Sequence, residues 1–149
     1  MGVRFKTGGG GGGGGGLTNL AGHIAADVSL TQGLTTAIMS TAALAVGKWL
    51  VSFSATIDNS VATVAVLETQ VVVGTATATF DGAAACAGDC PATNTQPLQM
   101  ELSFTATVTV AGTLTFQCNN SGTAACNAKA ATAVNAFPNA TGYTALKIG

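Results

Sequence analysis

The segment Leu98–Val110, LQMELSFTATVTV, constrains this chain more than any other. Leu98, Met100, Leu102, Phe104, Ala106, Val108 and Val110 occupy the even positions and are all apolar. Gln99, Glu101, Ser103, Thr105, Thr107 and Thr109 occupy the odd positions and are all polar. Successive side chains of a strand point to opposite faces, so this period of two predicts a strand with one buried face. A helix would scatter the same apolar groups around its axis. The β-branched content fits a pleated, half-buried surface. A long strand therefore covers a core, and other strands must supply the opposite wall.

A second alternation supplies part of that wall. Trp49, Val51, Phe53, Ala55 and Ile57 alternate with Leu50, Ser52, Ser54 and Thr56, and Asp58-Asn59-Ser60 is turn chemistry. Val28–Val46 reads as two short strands broken at Gly33, the second near Ala37–Leu44, and Gly47 turns the chain. Leu17–Asp27 fits either a helical turn or an irregular lead-in. Val61–Leu67 is nearly all apolar and predicts a strand buried on both sides. Val71–Phe80 follows, with Gly74 as a bulge or close-approach point, and Asp81-Gly82 ends it. Ala83–Pro97 reads as a loop. Ala111-Gly112 reads as a two-residue hairpin turn into Thr113–Cys118. Asn119–Pro138 is loop-rich, and Tyr143–Gly149 is a closing strand, expected to be central and paired. About eight strands with almost no helix predict two packed antiparallel sheets.

The chain has 149 residues, the size of one domain, and its opening Met1 reads as the start of a complete product. Charged residues make up only 7 % and the net charge is −1, which leaves no basic patch for nucleic acid. Mean hydropathy is +0.48, yet no apolar run approaches the roughly 20 residues of a membrane-spanning helix. The N-terminus matches neither a signal peptide, since glycines stand where an apolar core belongs, nor the myristoylation pattern, since Lys6 replaces Ser or Thr. A chain this apolar and weakly charged predicts that sister subunits or a larger assembly cover much of its surface.

Residues 1–19 read as an arm and tether, with residues 20–149 as the folded domain. The arm carries Val3, Arg4, Phe5 and Lys6 as candidate anchoring residues. The unbroken tract Gly8–Gly16 behind it is a tether by composition.

Leu44-Ala45-Val46-Gly47-Lys48-Trp49-Leu50-Val51 has the pattern L-x-x-G-x-W-x-V. It resembles the turn-and-strand signature of the trimeric jelly rolls of the complement-type globular heads and tumour-necrosis-factor families, and more closely their bacteriophage relatives. Thr144-Ala145-Leu146-Lys147-Ile148-Gly149 resembles the closing strand of the phage domains. The likeness covers Leu20–Gly149. It implies a ten-strand-type jelly roll, a homotrimer, and a role on the outer surface of a virus particle as head decoration or cement protein, head fibre or fibre tip. The glycine tract lacks the Xaa-Yaa positions of a collagen repeat and the chain lacks an evident calcium cluster, so the resemblance does not extend to a collagen partner. The implied partners are further copies of this chain and the major capsid protein or another shell protein. The alternatives are a receptor-binding tip, with the loops Ala83–Pro97 and Asn119–Pro138 on a host glycan or protein, and a non-viral extracellular binding module.

Little in the chain suggests catalysis or a cofactor. The four cysteines, Cys86, Cys90, Cys118 and Cys126, are spaced C-x3-C and C-x7-C. Zinc sites favour tighter pairs. Three disulfide connectivities are open from sequence. The local pairs Cys86–Cys90 and Cys118–Cys126 are the expectation, each pinning a loop, with free thiols as the alternative. His23, the one histidine, stands four residues before Asp27, which could make half of a metal or acid–base pair; with no second histidine and scattered acids, it reads as a surface or interface histidine. Glu101 faces outward and has Lys48 or Lys147 as cross-strand candidates. Ser and Thr are abundant, but no nucleophile–base–orienter set accompanies them. Asn119-Asn120-Ser121 and Asn139-Ala140-Thr141 match glycosylation sequons that a protein made in a bacterium would not ordinarily use.

Overall fold

A computed structural model of the chain describes residues 17–58, 65–90, 98–123, 125–130 and 141–149. The candidate anchors Val3, Arg4, Phe5 and Lys6 lie outside these residues. The described residues hold eleven strands and no helix. They are β1 (Asn19–His23), β2 (Val28–Leu30), β3 (Thr35–Ser40), β4 (Gly47–Asp58), β5 (Ala65–Val73), β6 (Thr77–Ala83), β7 (Ala85–Cys90), β8 (Leu98–Val110), β9 (Leu114–Asn120), β10 (Cys126–Ala128) and β11 (Gly142–Lys147).

The two alternating segments form the long central pair. β4 and β8 run antiparallel from Gly47 opposite Val108 to Ile57 opposite Leu98. Their even–odd pattern becomes burial: Trp49, Val51, Phe53, Ala55 and Ile57 face inward with Met100, Leu102, Phe104, Ala106 and Val108. On the far side of β8 lies β6. On the far side of β4 lie β11 and then β1 along its first part, with β10 and then β2 along its end. This is sheet A. Sheet B has the order β3-β9-β5-β7. All pairings are antiparallel, and the two sheets are compatible with a jelly-roll sandwich. The closing strand β11 is flanked by β1 and β4, as expected for a paired central strand.

The core fills the space between the sheets. Phe53 of β4 stacks on Phe116 of β9, with ring centroids 4.2 Å apart and planes 5° apart. Tyr143 of β11 lies 6.2 Å from Phe116, and its hydroxyl accepts a 2.7 Å hydrogen bond from the Ala42 backbone N–H. Trp49 is fully enclosed and donates from Nε1 to the Ala45 carbonyl at 2.8 Å.

Several expectations are corrected. The lead-in 17–27 contains strand β1. β3 ends at Ser40, before Leu44, which forms a lone bridge to Gly112. Residues 61–64 lie outside the described set, and the rest of that segment alternates: Ala65 and Leu67 are buried, while Val66 is 41 % exposed. The loop expected at Ala83–Pro97 begins with strand β7, whose small residues (ACAGDC) carry no apolar contrast to read. Gly74 is a close-approach point, as predicted, but it stands after β5 rather than inside a strand. A Cβ there would lie 2.6 Å from Thr113 Oγ1. β6 continues past Asp81-Gly82 to Ala83, with Gly82 at φ +108°.

Ala111-Gly112 does not close a hairpin. β8 pairs with β4 and β6 in sheet A, whereas β9 pairs with β3 and β5 in sheet B. Gly112 exchanges backbone hydrogen bonds with Leu44, and a Cβ on it would collide with the backbone of Thr75 and Ala76. That close contact marks a corner where the chain leaves one sheet for the other.

Candidate functional site

The outward face of sheet A divides into two zones. By register, Thr144, Ser52, Ser103 and Ala83 form one cross-strand row, and His23, Gly142, Ser54 and Glu101 the next. Their small side chains leave a trough of about 650 Å³ across β1, β11, β4 and β8. His23 and Glu101 stand at opposite ends of their row. The Ser52 and Ser103 hydroxyls lie 3.4 Å apart on the floor.

The other zone lies toward the chain ends and is apolar. Leu50, at an outward position of β4, is 44 % exposed, and its row includes Leu146 of β11. The pairing of β1 with β11 extends through a hydrogen bond from Lys147 N–H to the Thr18 carbonyl, which sets Leu17 beside Ile148. Leu17 is 69 % exposed, Ile148 49 %, and Val46, just before β4, 55 %. Both described ends of the chain meet here: the Gly149 carbonyl accepts from Lys48 N–H at 2.7 Å. Over the rest of this face, Ser and Thr hold most outward positions; elsewhere among the described residues Leu34, Val66, Val73 and Val110 are also exposed. Leu50 was the readable signal, an apolar residue at a polar-phase position. Leu17 and Ile148 needed the register of β1 on β11.

Comparison with models of known protein families, with curated proteins and with solved structures found no match to this chain.

The polar pairs within the chain that the sequence offered as candidates do not form. Asp27 does not turn to His23. Its carboxylate accepts from the Lys129 ammonium and, at 2.9 Å, from the Ala130 backbone N–H. The Lys129 hydrogen bond, followed by that of Ala130, holds the Asp27 carboxyl below its usual range. His23 instead ends β1 opposite Gly142. Glu101 lies opposite Ser54, while Lys48 lies opposite Thr107 and Lys147 opposite Trp49. Six residues of strand separate Glu101 from the Lys48 position, about 20 Å, so neither lysine reaches it.

The cysteines gather in the interior, but not as local pairs. None is in a disulfide. Cys86 and Cys90 lie four residues apart on one strand, about 13 Å between Cα atoms, against the roughly 7 Å that a disulfide spans at most. Cys118 and Cys126 are also unlinked. The Asn120 amide lies against Cys126: Nδ2 is 4.0 Å from Cys126 Sγ and donates to the Leu30 carbonyl at 2.9 Å. Cys86 and Cys118 flank Thr69 on its two neighbouring strands, and the Thr69 hydroxyl meets Met100 Sδ at 3.4 Å. Burial pushes all four thiols up, most strongly Cys126, to about 12, with Cys90, Cys118 and Asp58 adding to it. Thiols held so high stay protonated and poorly nucleophilic near neutrality. Among the described residues, no three His, Cys, Asp or Glu side chains are placed to hold a metal ion.

Proposed function

We propose that this chain is a structural protein of a bacteriophage particle: a homotrimeric jelly roll on the outer capsid surface, attached through residues 1–16 to a shell protein. The observation that carries the reading is the apolar corner at the chain ends. It gives sister subunits a surface to cover, and the arm continues from Leu17 within it.

The path of the chain also supports the jelly roll. From β3 to β9 each successive strand changes sheet: β3, β5, β7 and β9 belong to sheet B, and β4, β6 and β8 to sheet A. Such a path winds one ribbon into two facing sheets, the jelly-roll arrangement. The low charge content agrees with an assembled surface. The trough at the far end of sheet A favours a second reading, a receptor-binding tip with a host glycan or protein in that trough.

Deletion of residues 1–16 tests the primary reading. The truncated protein should remain a soluble trimer by light scattering and no longer co-sediment with virus particles stripped of the native protein. Equal binding by full-length and truncated chains would remove the arm from the attachment. A tip protein would bind host cells as an isolated domain and be present in a handful of copies per particle rather than hundreds.

A further inference from the structure

The thiols have a pairing that strand register supports and sequence spacing conceals. Cys126 lies in β10, where Asn127 is opposite Asp58 and Ala128 opposite Ile57, so Cys126 sits just beyond the end of β4. Its burial, like that of Ala128, places it on the inward face. Cys90 arrives from the other sheet. It ends β7, opposite Ala65 on β5, and its side chain contacts the backbone of Leu98, the residue opposite Ile57 on the other flank of β4. The two thiols thus approach the same strand end from either side, and Asp58 lies near both.

The sheets close together here. β7 is the edge of sheet B, and two of its residues reach β8 of sheet A: Cys86 contacts the Glu101 backbone and Cys90 that of Leu98. A Cβ on Gly88, between them, would be 3.5 Å from Leu98 Cδ2. That is ordinary packing distance, so β7 lies against β8 here.

We propose that Cys90 and Cys126 form one disulfide that ties sheet B to sheet A when the chain meets a small-molecule disulfide oxidant. The Cys90 thiolate attacks one sulfur of the oxidant, and the first small thiol leaves as thiolate and takes up a proton. Cys126, giving up its proton, then attacks the Cys90 sulfur and expels the second small thiol. Two protein thiols are oxidised, one disulfide is reduced, and the proton count balances. Both cysteines are shielded in the closed fold, so exchange proceeds through local opening of β7, the edge of sheet B, and of the short β2–β10 pair at the end of sheet A. Cys86 and Cys118 remain thiols: both lie opposite Thr69 on its two neighbouring strands of one sheet, about 10 Å apart between Cα atoms, beyond the roughly 7 Å that a disulfide spans.

The test uses the folded full-length chain in mixed oxidised and reduced glutathione, just below its denaturation midpoint, followed by alkylation and intact mass. Two of the four thiols should resist alkylation. Digestion before Asp89 and after Phe116, with fragmentation of the linked peptides, should place the bond at Cys90–Cys126. Closing a loop of about 35 residues should raise Tm by about 10 °C. Cys90→Ser and Cys126→Ser should each abolish the shift, and Cys86→Ser should keep it. Four alkylated thiols after exchange, or a bond mapped to Cys118–Cys126, would overturn the proposal.

Discussion

Asp27 shows how a chain so poor in charge places the few it has. It ties the turn after β1 to the segment following β10 through Lys129 and the Ala130 N–H. Its carboxyl is held below the unfolded value of 3.8, so the pair contributes stability above about pH 4 and loses it as pH falls through the lower folded value. The pair is near the surface, with 38 % of the Asp27 side chain exposed, which limits its worth to about 1 kcal/mol or less. Asp27→Asn keeps an acceptor for Ala130 and removes only the charge. Its Tm should fall below wild type by about 2–4 °C at pH 7 and match it at pH 2. An equal deficit at both pH values would show that the charge is not what matters.

At the scale of elements, the aromatic stack between β4 and β9 is the main tie across the sandwich in this region. Phe116 presents one face to Phe53 and neighbours Tyr143, so its loss opens a cavity between two strands that cannot both collapse into it. Phe116→Ala should cost about 3–5 kcal/mol in urea unfolding. Phe53→Ala should cost a similar amount, and the double variant less than the sum, because both remove one stack. A near-additive pair would mean that the rings pack independently. The same elements show what the sequence could reveal. β4 and β8 were legible residue by residue, because their apolar groups alternate with Ser and Thr on a face open to water. β1 (NLAGH) and β7 (ACAGDC) were not, because small residues pack into edges without an apolar rhythm. Nor could pairing be read at Ala111-Gly112: the turn residues fit a hairpin, and only the close approach of Leu44, Thr75 and Ala76 turns the chain into the other sheet. The Cys86–Cys90 expectation failed for the same reason, since thiols four residues apart on β7 are separated by the strand that joins them.

For the whole molecule the question is what covers the corner formed by Leu17, Val46, Leu50, Leu146 and Ile148. A soluble protein keeps such side chains apart or buries them against a partner. With charged residues at 7 %, this chain has little to hold a monomer in solution by repulsion. Sister copies are the occupant the proposed trimer requires, and Leu50 is the place to test them. It lies mid-face on β4, where its side chain points away from the core, so a change there spares the fold of the single chain. In an assembly that seals this corner, Leu50→Lys buries a charge without a partner in every subunit, at about 3 kcal/mol or more each. Subunit affinity should then fall by at least about 100-fold, turning a trimer into monomers at micromolar concentration in sedimentation equilibrium, with an unchanged β-type circular dichroism spectrum. If Leu50→Lys stays trimeric, the corner is not the seam, and the arm or another face must join the subunits. If the wild-type chain is itself monomeric at that concentration, the three-fold reading fails, and the proposed contact with a shell protein is what remains to cover the corner.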